Sequence, residues 1–391
     1  MSFINFKPKS KPSSGKISFL PGKKEKPKAE KPPASDISFL PGDNFKPTEQ
    51  AQRVESTKPA EPTPSLDTLS TAQSAALAAL PAPAAAALNS VWSSLAGNPQ
   101  SQKHMLKLLE QGSLGLKSGD STVVERLDEL NDRRGDGYNT KYLTQQTVSL
   151  MAAPESVVSQ GKYSTCAAAN LQYQIALEPP LLTDVVEGLT DEQGRATLPS
   201  GAVLTRIPNS QHEDPSGRSL INRLLQNTLM TDLGEEKGTY EISTDTFQKE
   251  GEEPQIQFNP RNGTFTEVVV NGLKVLEIAK GAANVEGEAK AVVTHDSETH
   301  ETFVKLFKSA STKSPMHVGA SWEDQDHMLL YLGEKDGEAQ IFNPQDKGLD
   351  TIEMDKLLFK AQFAIFSADH VEPVAKDLPE DAVYVVEPDK N

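Results

Sequence analysis

The sequence predicts an α+β fold, and three observations carry that expectation. Helical periodicity fills the chain from residue 66 onward, strand-like runs crowd into the last third, and the two types do not alternate as they would in a βαβ protein. The first 65 residues stand apart: they are rich in Lys, Pro, Ser and Glu, cannot bury enough apolar surface to offset chain entropy, and are expected to be a disordered tail. Only 36% of the 391 residues are apolar and the 27 prolines are unevenly spread, so part of the chain must lie outside any packed core.

The tail repeats its few apolar words. "ISFLPG" occurs at 17 to 22 and again at 37 to 42, and "NFKP" at 5 to 8 and 44 to 47; short apolar words in a polar chain point to docking of a partner rather than to folded structure. From 66 the pattern turns helical, with Ser65 or Asp67 as cap, an interruption at Pro81, and resumption as far as Gly97. Further amphipathic stretches at about 101 to 111, 121 to 131 (Ser121 as cap) and 139 to 152 complete a helical region over 66–152. The domain over 153–368 then mixes helices near 165 to 177, 181 to 189, 217 to 232 and 299 to 308 with strands. The strands are expected at 267 to 270, 289 to 295, 316 to 322, 327 to 332, 339 to 343 and 361 to 367. An acidic, proline-bearing tail over 369–391 follows.

The 39 basic and 55 acidic side chains give a net charge of −16 and a pI near 5.0, which argues against a nucleic-acid surface over the chain as a whole. Ten lysines against four acids in the first 47 residues read as a solvated run. The single cysteine cannot form an internal disulfide. The first thirty residues contain no apolar h-region, and the run "AALAALPAPAAAAL" is too short and too weakly hydrophobic to span a bilayer. The expectation is a chain without a membrane span, cytoplasmic or exported without a cleavable signal peptide.

Cys166 sits where a polar loop, "SVVSQGKYST", turns into the helix-like "CAAANLQYQIAL". Ser164 and Thr165 are suited to cap that helix, which puts Cys166 in its first turn, where the partial positive charge favours a thiolate. A small buried hydrophobe is the ordinary role of a cysteine; a nucleophile needs a base, an orienting group for the base, and donors for an oxyanion. Gln160, six residues earlier, can supply a side-chain donor beside the Cys166 amide. The stretch "QDHMLLYLGEKDGEAQIFNPQ" reads as a β-hairpin. Pairing Leu332 with Glu338 across a five-residue loop brings His327 opposite Asn343, about 5 Å apart at Cβ. A two-residue Asp336-Gly337 turn would instead oppose His327 to Asp346 and set Pro344 inside the ladder, where it cannot donate; the first register is favoured, with Asp346 as reserve orienter.

Gln, then Cys six residues on at a helix start, and much later His followed after sixteen by Asn, resembles the papain-like cysteine peptidases, in particular the bacterial branch that includes leader-processing and toxin or effector peptidases. The resemblance covers roughly 155 to 367. It implies a papain-like fold with a helical subdomain and a C-terminal antiparallel sheet. It also implies Cys166 as nucleophile, His327 as base, Asn343 as orienter, and Gln160 with the Cys166 amide as oxyanion hole. The chain departs from plant and lysosomal members. Thr165 and Ala167 flank the cysteine in place of the Cys-Gly-Ser-Cys-Trp signature, and Asn343-Pro344-Gln345 stands where those have Asn-Ser-Trp-Gly.

Among the other histidines, His317 in "MHVGASW" is the second choice as base, while His104, His212, His295, His300 and His370 are expected to be solvated. His295 and His300 with Asp296 and Glu298 make poor metal-ligand geometry. No nucleotide, zinc or serine-hydrolase motif occurs. The sequence thus predicts a cysteine peptidase acting on a protein or peptide substrate without cofactor or metal. The alternatives are a papain-like deamidase or transglutaminase-type effector acting on glutamine side chains, and an inactive interaction protein that recruits a partner through the ISFLPG words.

Overall fold

In the computed structural model of the chain, the described residues are 64–133, 137–213, 216–233, 238–241, 246–249, 269, 272, 290–294, 300–311, 315–322, 325–345, 348–366 and 383–386. The expected disordered tail and both ISFLPG words lie outside them, apart from Pro64 and Ser65.

Helices dominate as far as residue 233. Ser70 opens α1 (Thr71–Ala79) with a reciprocal cap: its hydroxyl accepts from the Gln73 N–H, and the Gln73 side chain accepts from the Ser70 N–H. The expected cap, Ser65, closes only a short 3-10 turn at Leu66–Thr68. Pro81 separates α1 from α2 (Ala82–Ser94), as a ring nitrogen without a proton must. After α3 (Pro99–Glu110) comes a two-residue hairpin, β1 (Lys117–Ser118) with β2 (Ser121–Thr122). This hairpin takes Ser121 into a strand, so Thr122 and Glu125 form the capping box of α4 (Val123–Asp132) instead. Beyond α5 (Thr140–Ala152), Ala153 closes one helix and opens the next, the single turn α6 (Pro154–Val157). Then follow α7 (Cys166–Ala176), α8 (Pro179–Leu189), the hairpin of β3 (Arg195–Thr197) and β4 (Val203–Thr205), α9 (Leu220–Asp232), and the hairpin of β5 (Gly238–Glu241) and β6 (Thr246–Lys249). One hydrophobic cluster runs from Ala84 through α7 and α9 to Ile365, so the helical region shares its core with the cysteine helix.

The C-terminal part is a seven-stranded antiparallel sheet. Its members are β7 (Lys290–Thr294), β8 (Met316–Trp322), β9 (Gln325–Lys335), β10 (Glu338–Asn343), β11 (Gly348–Glu353), β12 (Ala361–Phe366) and β13 (Val383–Val386), in the order β11-β10-β9-β8-β12-β7-β13. Alternation along β9 sends Met328 and Leu330 toward the α7 cluster. Leu329 and Tyr331 join a second cluster with Phe307 of α10 (His300–Ser309) and Leu357 of α11 (Met354–Lys360). Rings mark both layers: Tyr173 meets Phe342 at 4.6 Å between centroids, and Phe307 meets Tyr331 at 4.7 Å. Helices thus cover both faces of β9, which is why "HMLLYL" is continuously apolar instead of alternating.

The structure corrects several expectations. The favoured five-residue loop is absent: β9 and β10 join through the two-residue turn Asp336-Gly337, both at positive φ (55° and 84°), with Lys335 opposite Glu338. Such a turn matches strand twist and suits Asp-Gly. A bulge at Leu332 then shifts the register, pairing Tyr331 with Ile341 and Leu330 with Phe342. Because β10 stops at Asn343, Pro344 never enters the ladder, and the objection to the tight turn disappears. Residues 267 to 270, expected to be a strand, lie outside the described residues except Val269, which is helical and buried. Within the expected C-terminal tail, Val383–Val386 is an edge strand on β7. His104 is not solvated but 8% exposed, its Nε2 2.8 Å from the Gln100 side-chain nitrogen.

Two predictions follow from this packing. Gly348 has φ 69°, and a Cβ there would collide with the Glu155 carbonyl of α6; Gly348→Ala should lower stability by about 1–3 kcal/mol in urea unfolding, and an unchanged midpoint would contradict the contact. Burial, then Lys107 one turn away, hold the His104 pKa below 6.5 against the opposing pull of Glu155. The unfolded chain takes this proton near 6.5 and the folded chain resists it, so stability present above pH 6.5 declines as pH falls through that value. His104→Gln should flatten that decline, measured as urea midpoints between pH 7 and 5.

Candidate active site

Two of the sequence-predicted residues meet directly. His327 Nε2 and Asn343 Oδ1 are 2.8 Å apart, with His327 7% and Asn343 5% exposed. The register makes them diagonal rather than opposite neighbours, since the ladder ends at Leu330–Phe342; two residues of offset on one face is still within side-chain reach. The backbone N–H of Gln345 also donates to Asn343 Oδ1 (3.0 Å), which fixes which amide atom faces the ring. An oxygen can only accept, so His327 Nε2 carries the proton and Nδ1 is left as the basic nitrogen.

Cys166 is the first residue of α7. The expected cap is only half realised: Thr165 occupies the N-cap position but its hydroxyl makes no cap bond. It donates instead to Gln226 Oε1 of α9 (2.8 Å). The opening N–H groups of α7 therefore receive no side-chain oxygen from the N-cap. Cys166 is buried, 5% exposed against 0% for Ala167, Ala168 and Ala169, and belongs to the same hydrophobic cluster as they do.

One turn beyond Cys166, Asn170 Nδ2 donates to the carbonyl of Met328 (3.0 Å). Residues at i and i+4 share a helix face, so the face that carries the sulfur is tied to the residue next to His327. Further along that face Gln174 Oε1 meets His317 Nε2 at 2.8 Å, and Tyr173 packs on Phe342. Burial, then Glu155, push the Tyr173 phenol well above its usual range, which keeps it a neutral packing group. Gln160 joins from the other side: its backbone N–H donates to the carbonyl of Pro344 (3.0 Å), the residue after Asn343. Its side chain is 6% exposed, and Oε1 is buried with no hydrogen-bond partner. Unmet buried acceptors are rare enough to require a reason.

All four residues thus lie on segments bonded to one another around the end of the β9–β10 ladder. The reserve orienter, Asp346, lies outside the described residues. His317 is fully buried against α7, and His212 is exposed. His295 and His370 fall outside the described residues, as does the side chain of His300. Among the described residues no group of three His, Cys, Asp or Glu side chains could hold a metal ion, and no helix is long and apolar enough to cross a membrane. Sequence reasoning missed Asn170, Gln226 and Arg218, the polar residues that fix the site. A buried Asn or Gln on a helix gives no signal distinguishing it from an exposed one. Comparison with family models, curated proteins and solved structures returned no match to the chain.

Removing the tether should expose its role: Asn170→Ala leaves the Met328 carbonyl and its surroundings short of a donor, and should cost about 1–3 kcal/mol in chemical unfolding. Asn343→Ala should slow alkylation of Cys166 at neutral pH about tenfold by loosening the ring, whereas Asn343→Asp keeps an acceptor and most of the rate. Equal rates in all three proteins would deny Asn343 an orienting role.

Proposed function

We propose that the chain is a papain-like cysteine peptidase whose active site comprises Cys166, His327, Asn343 and Gln160. The observation that carries this reading is the His327 Nε2–Asn343 Oδ1 bond, which holds a buried imidazole in one tautomer beside the strand residue to which the cysteine helix is tied. Alternation puts His327 on the side of β9 away from α7, so the proposed reaction requires the ring to meet the thiol around the edge of β9, beyond the end of β10.

In the proposed reaction His327 Nδ1 takes the Cys166 proton and the sulfur attacks the carbonyl carbon of a peptide bond. The oxygen becomes negative and is stabilised by the Cys166 N–H and the Gln160 side-chain amide. His327 returns its proton to the leaving amine as the C–N bond breaks. Water, deprotonated by the same imidazole, then cleaves the thioester and restores the thiol. Asn343 maintains the ring orientation through both half-reactions.

Incubation of the full chain with a peptide library, read by mass spectrometry, should give chain cleavage that Cys166→Ala abolishes. A one-dalton gain at glutamine without cleavage would replace peptide hydrolysis with side-chain deamidation, and absence of any Cys166-dependent change would contradict both. Gln160→Ala should lower kcat by about 10²–10³ while leaving the unfolding midpoint unchanged or slightly raised, because an unmet buried acceptor is removed. A large loss of stability with unchanged kcat would assign Gln160 to structure alone.

A further inference from the structure

β11 is a terminal strand of the large sheet. Its strand neighbour among the described residues is β10, and its first residue, Gly348, stands opposite Asn343. The outward backbone groups of a terminal strand are open to pairing with another chain. Thr351 shows which groups these are: its N–H donates to the neighbouring carboxylate, Asp350 Oδ1 (2.8 Å), so by alternation the peptide groups of Leu349, Thr351 and Glu353 face away from β10. The side chains of the same three residues are exposed. Leu349 lies opposite the buried Phe342 and is itself 50% exposed, which carries the apolar surface of the sheet out to this margin.

Charge at the edge has one sign. Asp350 and Glu353 lie on β11, and Glu353 stands directly opposite Glu338, a like-charge pairing that a cation relieves. Glu338 has Lys335 opposite it on its inner side, whereas Glu353 meets Lys356 (2.8 Å) in a pair that is more than half exposed and therefore easily exchanged.

We propose that the outer edge of β11 is a docking strand for the substrate, which joins it as an extended basic peptide. The proposal rests on the peptidase reading and gives its substrate class. Complementing β11 in the antiparallel sense of the rest of the sheet sets Lys against Glu353, an apolar residue against Ile352, Thr against Thr351, Lys against Asp350 and an apolar residue against Leu349, which is the pattern Lys-Val-Thr-Lys-Val. A peptide there lies two strand spacings, about 10 Å, from β10. About three further residues span that distance, so the docked segment precedes the bond to be cut.

Fluorescence anisotropy of a labelled peptide containing Lys-Val-Thr-Lys-Val, titrated with the full-length Cys166→Ala protein, tests the docking without cleavage. N-methylation of the first, third and fifth residues, those opposite Glu353, Thr351 and Leu349, should weaken binding about tenfold, while methylation of the second and fourth should leave it unchanged. Glu353→Lys should weaken binding of this peptide about fivefold and favour Glu-Val-Thr-Lys-Val in its place. No binding, equal loss from both methylation patterns, or no exchange of preference in Glu353→Lys would overturn the proposal. In the wild-type chain, the peptide extended at its C-terminal end should be cut in a Cys166-dependent manner. Binding in the predicted pattern without cleavage would remove the peptidase reading and leave the docking strand; Cys166-dependent cleavage indifferent to Glu353→Lys and to methylation would remove only the docking strand.

Discussion

The amide of Asn170 donating to the carbonyl of Met328 fixes the register of α7 along β9, across 158 residues of sequence. A helix lying on a sheet through apolar contacts alone can slide, because hydrophobic burial is non-directional. A buried hydrogen bond with a defined donor and acceptor cannot be satisfied in a shifted position without leaving polar groups unmet. With α7 fixed, the head of the helix stands at a set distance from the strand residue that bears the imidazole. The bond from the Gln160 N–H to the Pro344 carbonyl does the same for the loop before α7.

The interior of α7 explains why this arrangement is polar at all. Every residue from Cys166 to Ala176 is buried, yet three of them carry side-chain amides. Each amide addresses a different element: Asn170 reaches β9, Gln172 reaches Asn222 of α9 (2.8 Å), and Gln174 reaches His317 of β8. An all-apolar helix would be simpler to bury. The amides instead specify one orientation among many of similar packing, because each bond needs its own partner in place. The alanines at 167, 168 and 169 let the neighbouring elements come close enough for those bonds to form.

Local signals were legible in the sequence. The strand at 316 to 322 matches residue for residue, since a bounded apolar run is the strand's own signature. The start of α7 was given by Ser-Thr before an alanine-rich segment, and the pairing of His327 with Asn343 by their spacing within a hairpin. The route to that pair was wrong in detail: they are diagonal neighbours after a tight turn and a bulge, not opposite neighbours across a long loop. The bulge at Leu332 follows no local turn or proline signal in the sequence. The sequence likewise carries no strong signal for β11, α11 and the edge strand Val383–Val386, which are short or charged segments paired with or packed on the sheet. Gln226 and Arg218 were hidden for a related reason, since their partners lie in a loop some sixty residues earlier or in a turn that only the fold brings close.

The proposed chemistry requires the sulfur of Cys166 and the ring of His327 to form one coupled acid–base pair. The most direct measurement is an NMR titration of the His327 ring in the full chain and in Cys166→Ser. If a thiolate stands beside the ring, the wild-type imidazole holds its proton to a pH above the ordinary value of about 6.5, and loss of the sulfur lowers that midpoint by about one unit or more. Identical titration in the two proteins would show that the ring does not sense the sulfur, and would contradict a Cys166–His327 pair.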